Sequence, residues 1–147
     1  MSEGNRLSRR GLARRLTVQA VYQWLVNESP PQQLLREFSE DPGLGRADAE
    51  YFGELLNGTV DHSESLTSTF REHLDRPLDQ LDPVERAILM LATYELQHRP
   101  EVPWRVIVNE AVNLAKTFGA SDSYRYINGV LDRLAHELRA ADIAAGL

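Results

Sequence analysis

The sequence contains no cysteine. That excludes a disulfide framework and every thiolate metal site, and it fits a reducing cytoplasm. Long apolar runs are missing as well: AILMLA at 87–92 falls far short of the ~20 residues a membrane span requires. No basic segment leads into an apolar stretch of the kind that marks a secretory leader. These absences predict a soluble, cytoplasmic chain with no membrane partner.

Catalytic patterns are equally scarce. His62, His73, His98 and His136 show no HExxH or comparable ligand spacing and read as surface or helix-end residues. The GLG at 43–45 lacks the flanking lysine and spacing of a phosphate-cradling loop. Serines occur in caps and loops without a GxSxG elbow, and acids such as Glu37 and Glu40 fall on polar helix faces. The expectation is therefore a non-enzymatic protein with no metal and no cofactor, and binding is the better class of function.

What is present is helical periodicity. Prolines and glycines at SPPQ, DPGLG, RP, DP, RPEVP and FGAS divide the chain into pieces with apolar residues three and four apart, and no strand-like alternation appears. A first helix is predicted over about 8–27, with arginines in its first two turns. A short one begins at Pro31, and a third runs from near Ala47 toward His73 with Gly58 as a possible kink. Asp82, Pro83 and Glu85 form the clearest start signal, a cap, a first-turn proline and a capping-box acid. The helix that follows, AILMLATYEL, is apolar almost all round and is expected to be the most buried element. Pro103 opens a further helix that Gly119 ends. Ser121 or Asp122 then caps the last, whose inward stripe is Tyr124, Ile127, Leu131, Leu134 and Leu138. At 147 residues the expectation is one all-α domain, a compact bundle of six or seven helices in two packed sub-bundles that share the central helix.

Charge is unevenly spread. Residues 1–15 hold Arg6, Arg9, Arg10, Arg14 and Arg15 against Glu3 alone, whereas the whole chain carries a net charge of -6. A basic arm on an acidic body suits contact with a polyanion; a solvated, frayed terminus explains the charge equally well. Gly129, inside the last helix, raises a separate question, because an interior glycine costs about 0.5–1 kcal/mol relative to alanine. At about 100° per residue it lies opposite the inward stripe, on a face with Asp122, Tyr126 and Arg133 and with Arg125 beside them. Either a base and its backbone settle on this side-chain-free patch, or another helix of the fold approaches closely there.

Three stretches, VQAVYQW at 18–24, LDPVERAILMLATYEL at 81–96 and VPWRVIVNEAVNLAKTFGASDSYRYINGVLDRLA at 102–135, together with the arginine-bearing start, resemble the NusB family of bacterial transcription antitermination factors. The resemblance runs from the first helix to the last in the same order, and VNEAVNLAKTFG followed by YINGVLD is highly specific. It implies a cytoplasmic, all-helical RNA-binding factor that pairs with NusE, the small-subunit ribosomal protein, on the boxA element of ribosomal RNA leader transcripts. Other Nus factors and RNA polymerase complete the antitermination complex, which supports ribosomal RNA synthesis. A monomer and a homodimer that hides its RNA surface are both open.

The resemblance also implies residue roles. The arginine-rich start, Arg6, Arg9, Arg10, Arg14 and Arg15, is expected to contact phosphates, with Gly11 and Leu12 interrupting a run that is often more uniformly basic in relatives. SDSYRY matches the family's RNA-proximal turn and points to Ser121, Asp122, Arg125 and Tyr126. Tyr22 and Glu85 match positions that face NusE, although a capping-box glutamate also serves its own helix, and Tyr22 also reads as a core aromatic. Two alternatives follow. One is a helical protein-binding adaptor without RNA contact. The other is a stand-alone relative of the N-terminal domain of ribosomal RNA cytosine methyltransferases, whose doubly wound catalytic domain this chain lacks.

Overall fold

A computed structural model of the chain describes residues 8–147. Among them there is no strand, and eight α-helices follow one another: α1 Arg9–Asn27, α2 Pro31–Ser39, α3 Ala49–Asp61, α4 Ser63–Arg71, α5 Pro83–His98, α6 Trp104–Phe118, α7 Ser123–Leu138 and α8 Ala140–Ala144. The all-α expectation holds. The chain divides into two compact units, residues 1–61 and 62–147.

In the first unit α1 packs against α2 and α3. Ser8 caps α1, its hydroxyl accepting from the Gly11 amide at 2.9 Å. The buried stripe Ala13, Leu16, Val18, Ala20 and Val21 meets this unit's other apolar residues, among them Phe38 and Phe52 with ring centroids 5.8 Å apart. Asp48 caps α3 by accepting from the Tyr51 amide at 2.9 Å. The helix expected from Ala47 to His73 is two helices. The break falls at His62, which precedes α4 with φ -104° and ψ 17° and caps it without a side-chain bond. Gly58 lies buried inside α3, so it does not mark the break.

In the second unit α5 is the buried element, as its composition demands: Ile88, Leu89, Met90, Leu91 and Leu96 are each at most 2% exposed. Each contributes about 1.5–3 kcal/mol of burial. Its start carries the complete capping box, with the Asp82 carboxylate accepting from the Glu85 amide at 2.8 Å and Glu85 Oε1 accepting from the Asp82 amide at 3.3 Å. Its end is satisfied by a residue far along the chain. The buried Arg139 guanidinium donates to the carbonyls of Glu95, Leu96, Arg99 and Val102 at 2.8–3.4 Å and to the Asp142 carboxylate at 3.3 Å. The Glu95 and Arg99 carbonyls also accept from the Arg99 and Val102 amides, so the guanidinium adds to the bonding of acceptors at and just beyond a helix C-terminus, where the backbone dipole favours a cation.

Helices α6 and α7 form a close hairpin. Gly119 joins them, but not in the left-handed conformation of a glycine cap: its φ is -89° and ψ 174°. Space is the requirement, since a Cβ there would stand 2.7 Å from the Ala115 carbonyl oxygen and 2.9 Å from Ser123 Cβ. Asp122 occupies the cap position of α7 without a side-chain capping bond, so the expected cap by Ser121 or Asp122 is not formed. The α7 stripe of Ile127, Val130, Leu131 and Leu134 is fully buried, whereas Tyr124 and Leu138 are only half-buried.

Candidate nucleic-acid interface

The expected site residues fall in both units, which are described in turn. In the first unit Arg6 lies outside the described residues, and the arginines of α1 divide by helical geometry. Arg9 is exposed and donates to the Ala47 carbonyl at 3.2 Å. Arg10 is half-exposed, its guanidinium 4.2 Å from the Tyr51 ring centroid and its Nε 3.7 Å from the Asp48 carboxylate. Arg15 is half-buried. Arg14 departs from expectation: only 3% of it is exposed, and its guanidinium lies 5.6 Å from the Tyr51 centroid. Four residues on from Arg10, it is carried to the same aromatic partner and inward, so it is a structural cation rather than a phosphate contact. Tyr22 is 38% exposed and Val26, one turn on, 48%; the tyrosine is therefore a surface aromatic and not a core one.

In the second unit the carboxylate of Glu85 is fully engaged within its own chain. One oxygen closes the capping box, the other accepts from the Ser123 hydroxyl at 2.6 Å, and the residue is 8% exposed. Glu85 thus pins the start of α5 to the start of α7, and this structural role stands beside the expectation that it faces a partner. Ser123, absent from the expected site residues, is the other half of that pin.

The SDSYRY turn presents Ser121, Asp122 and Arg125 to solvent. Arg125 Nε donates to the Tyr124 hydroxyl at 3.1 Å, and that bond holds its guanidinium above the ordinary pKa. Lys116 Nζ lies 5.0 Å from the Tyr124 centroid and the Arg125 guanidinium 5.6 Å from it. Tyr124, expected in the inward stripe, thus carries two cations, a contribution that spacing alone could not reveal.

Tyr126 is half-buried, and its ring is covered by the guanidinium of Arg76 at 3.9 Å from the centroid. Its buried hydroxyl makes no hydrogen bond of good geometry, while burial and then the nearby Asp75 charge raise its pKa. Asp75 accepts from Arg76 Nε at 3.1 Å, and that bond keeps the carboxyl below its ordinary pKa of 3.8. Gly129 stands one turn along the same face. A Cβ there would meet only Arg133 Nη1, at 3.6 Å, so no helix of the described residues presses on it. Arg133 in turn donates to the His73 carbonyl at 2.9 Å, and His73 bonds Glu137 at 2.7 Å.

A shallow cleft of about 520 Å³ opens elsewhere in this unit over His62, Gln97, His98 and Leu138. The His62 and His98 rings lie 4.7 Å apart there, and burial followed by the His62 charge lowers the His98 pKa. Its cation, Arg139, is consumed by carbonyls, so the cleft offers an anion little. Among the described residues no three His, Cys, Asp or Glu side chains converge as metal ligands, and no helix is long and apolar enough to cross a membrane.

Among the described residues the fold is strand-free, with exposed arginines at the start of α1 and cation–aromatic contacts on α7, and it falls in the class of all-helical folds. Residues 12–136 match the NusB family model. The chain is 47% identical over 138 residues to the transcription antitermination protein NusB of Burkholderia cenocepacia strain HI2424, covering 94% of this chain and 95% of that one. Identity and coverage are the same for the NusB of Burkholderia mallei strain SAVP1. Among solved structures, it is similar to the crystal structure of antitermination factors NusB and NusE in complex with double-stranded RNA. There the TM-score is 0.80 at 28% identity, over 88% of this chain and 97% of that one. The chain belongs to the NusB family.

Proposed function

We propose that this protein is a cytoplasmic, non-enzymatic antitermination factor that binds boxA-bearing single-stranded RNA together with NusE, within an assembly of other Nus factors and RNA polymerase. The observation that carries the proposal is the α7 face, where Tyr126, the open Gly129 and Arg133 follow one another beside Arg125. A helix face with a guanidinium lying on an aromatic, a gap and further arginines suits an unstacked strand, which is held by phosphate contacts and stacking rather than by groove readout. Arg9, Arg10 and Arg15 add phosphate contacts that carry no sequence information. The exposed Tyr22 and Val26 provide an apolar anchor of the kind protein partners bury, and NusE is the partner proposed for it. A structurally similar NusB has been solved with NusE and double-stranded RNA, which supports NusE and RNA as the partners.

Size exclusion of the chain with NusE, with and without a boxA oligonucleotide, tests the proposal. A co-eluting pair that takes up the oligonucleotide better than either protein alone is expected. A chain that binds neither NusE nor RNA would contradict it.

A further inference from the structure

The aromatic expected to receive a base is not open to one: Tyr126 is half-buried and the Arg76 guanidinium lies over its ring. From this geometry, and resting on the RNA-binding function proposed above, we infer that Arg76 is itself the stacking platform and that Tyr126 is the residue that positions it. A guanidinium is planar and weakly hydrated. It can lie on a tyrosine with one face and offer the other to a nucleobase.

Three restraints hold the plane in place. The Tyr126 ring lies 3.9 Å beneath it, and Asp75 fixes Nε at 3.1 Å. Pro77 follows directly and confines the Arg76 backbone to extended conformations. The side chain remains 38% exposed. A cation so restrained loses little conformational freedom on contact. One turn on from Tyr126 along α7 lies the patch left open at Gly129. Arg133 borders that patch and ties α7 to the segment just before Arg76 through the His73 carbonyl. A single strand with one base on Arg76 therefore has a side-chain-free surface for the nucleotide next to it. Neither Asp75 nor Arg76 belongs to the arginine-rich start or to the SDSYRY turn; both come from the segment between α4 and α5.

The test is an anisotropy titration of labelled boxA RNA across salt concentrations with wild type, Arg76→Lys, Arg76→Ala, Tyr126→Leu and Tyr126→Phe, each checked for an unchanged circular dichroism spectrum. Lysine keeps the charge but not the plane, so Arg76→Lys should lose about tenfold in affinity at an unchanged salt slope. Arg76→Ala should lose more and flatten the slope by about 0.7. Tyr126→Leu should reproduce the lysine variant, and Tyr126→Phe, which restores the ring, should restore affinity. An abasic substitution at the stacked position should weaken wild type yet leave Arg76→Ala unaffected. Wild-type affinity in Arg76→Lys, or an equal abasic penalty in wild type and Arg76→Ala, would overturn the role of Arg76 alone. A wild-type chain that binds no RNA would instead overturn the function on which it rests.

Discussion

Replacing Gly129 by alanine adds one methyl group to an interior turn of α7 at a place where its nearest neighbour is the movable end of Arg133, 3.6 Å away. That separation is ordinary van der Waals contact, so no steric cost opposes the gain in helix propensity and the loss of unfolded-chain entropy. Alanine in place of glycine at such a site is worth about 0.5–1 kcal/mol, which in a chain of this size raises Tm by about 2–3 °C. Scanning calorimetry or a circular dichroism melt reads the first half of the prediction. Titration with boxA RNA reads the second: a methyl on a surface used by an RNA backbone should weaken binding severalfold while stability rises. The opposing signs make the experiment informative. A lowered Tm would show that another part of the fold needs the space, and the α7 patch would then lose its reason for being bare.

The α1 arginines should separate into two kinds: Arg14→Ala should lower Tm and leave the salt slope of RNA binding intact, whereas Arg9→Ala with Arg15→Ala should spare Tm and flatten the slope by about 0.7 per arginine. Glu85→Ala removes half of a capping box and the acceptor of the Ser123 hydroxyl, and urea unfolding should register a loss of about 2 kcal/mol. Arg139→Ala takes the guanidinium donor from the Leu96 and Val102 carbonyls, while those of Glu95 and Arg99 keep backbone amide donors, and by the same assay should cost about 2–4 kcal/mol. His98 has a pKa lowered from 6.5 by burial and by His62, so below about pH 6.5 the unfolded chain takes up the proton first and stability falls with pH. Above that value both states are neutral and the contribution is complete. Denaturation series at pH 5.5 and 7.5 should show a smaller difference in His98→Gln than in wild type; identical differences would remove His98 from the account.

Much of this was legible in the sequence where local chemistry decides the outcome. Asp82, Pro83 and Glu85 specify a helix start within four residues, and the structure shows that capping box formed. The apolar run after it had to be buried, and it is. The middle of the α7 stripe, Ile127, Leu131 and Leu134, follows from spacing alone, as does the outward aspect of Gly129, whereas Tyr124 and Leu138 are only half-buried and the buried Val130 was missed. What the sequence hid were contacts between residues far apart along it. Nothing in LDRP announces that Arg76 covers Tyr126, fifty residues away. Nor does anything around Arg139 announce the carbonyls of α5. Arg14 shows the opposite error: counted with its neighbours as surface charge, it points inward with Thr17, Val18 and Val21 on the buried face of α1. Glu85 was correctly placed as a cap, but its second oxygen was committed by Ser123, a hydroxyl that looked like part of a loop.

The most direct test of the central claim, that this helical protein holds single-stranded RNA through exposed arginines, is the dependence of its RNA affinity on salt. Arg9, Arg10, Arg15 and Arg125 are the proposed phosphate contacts, and with the charge of Arg76, at about -0.7 each, the logarithm of the association constant should fall with a slope of about -3.5 against the logarithm of salt concentration. Binding with a slope near zero, or no binding at low salt, would contradict the account.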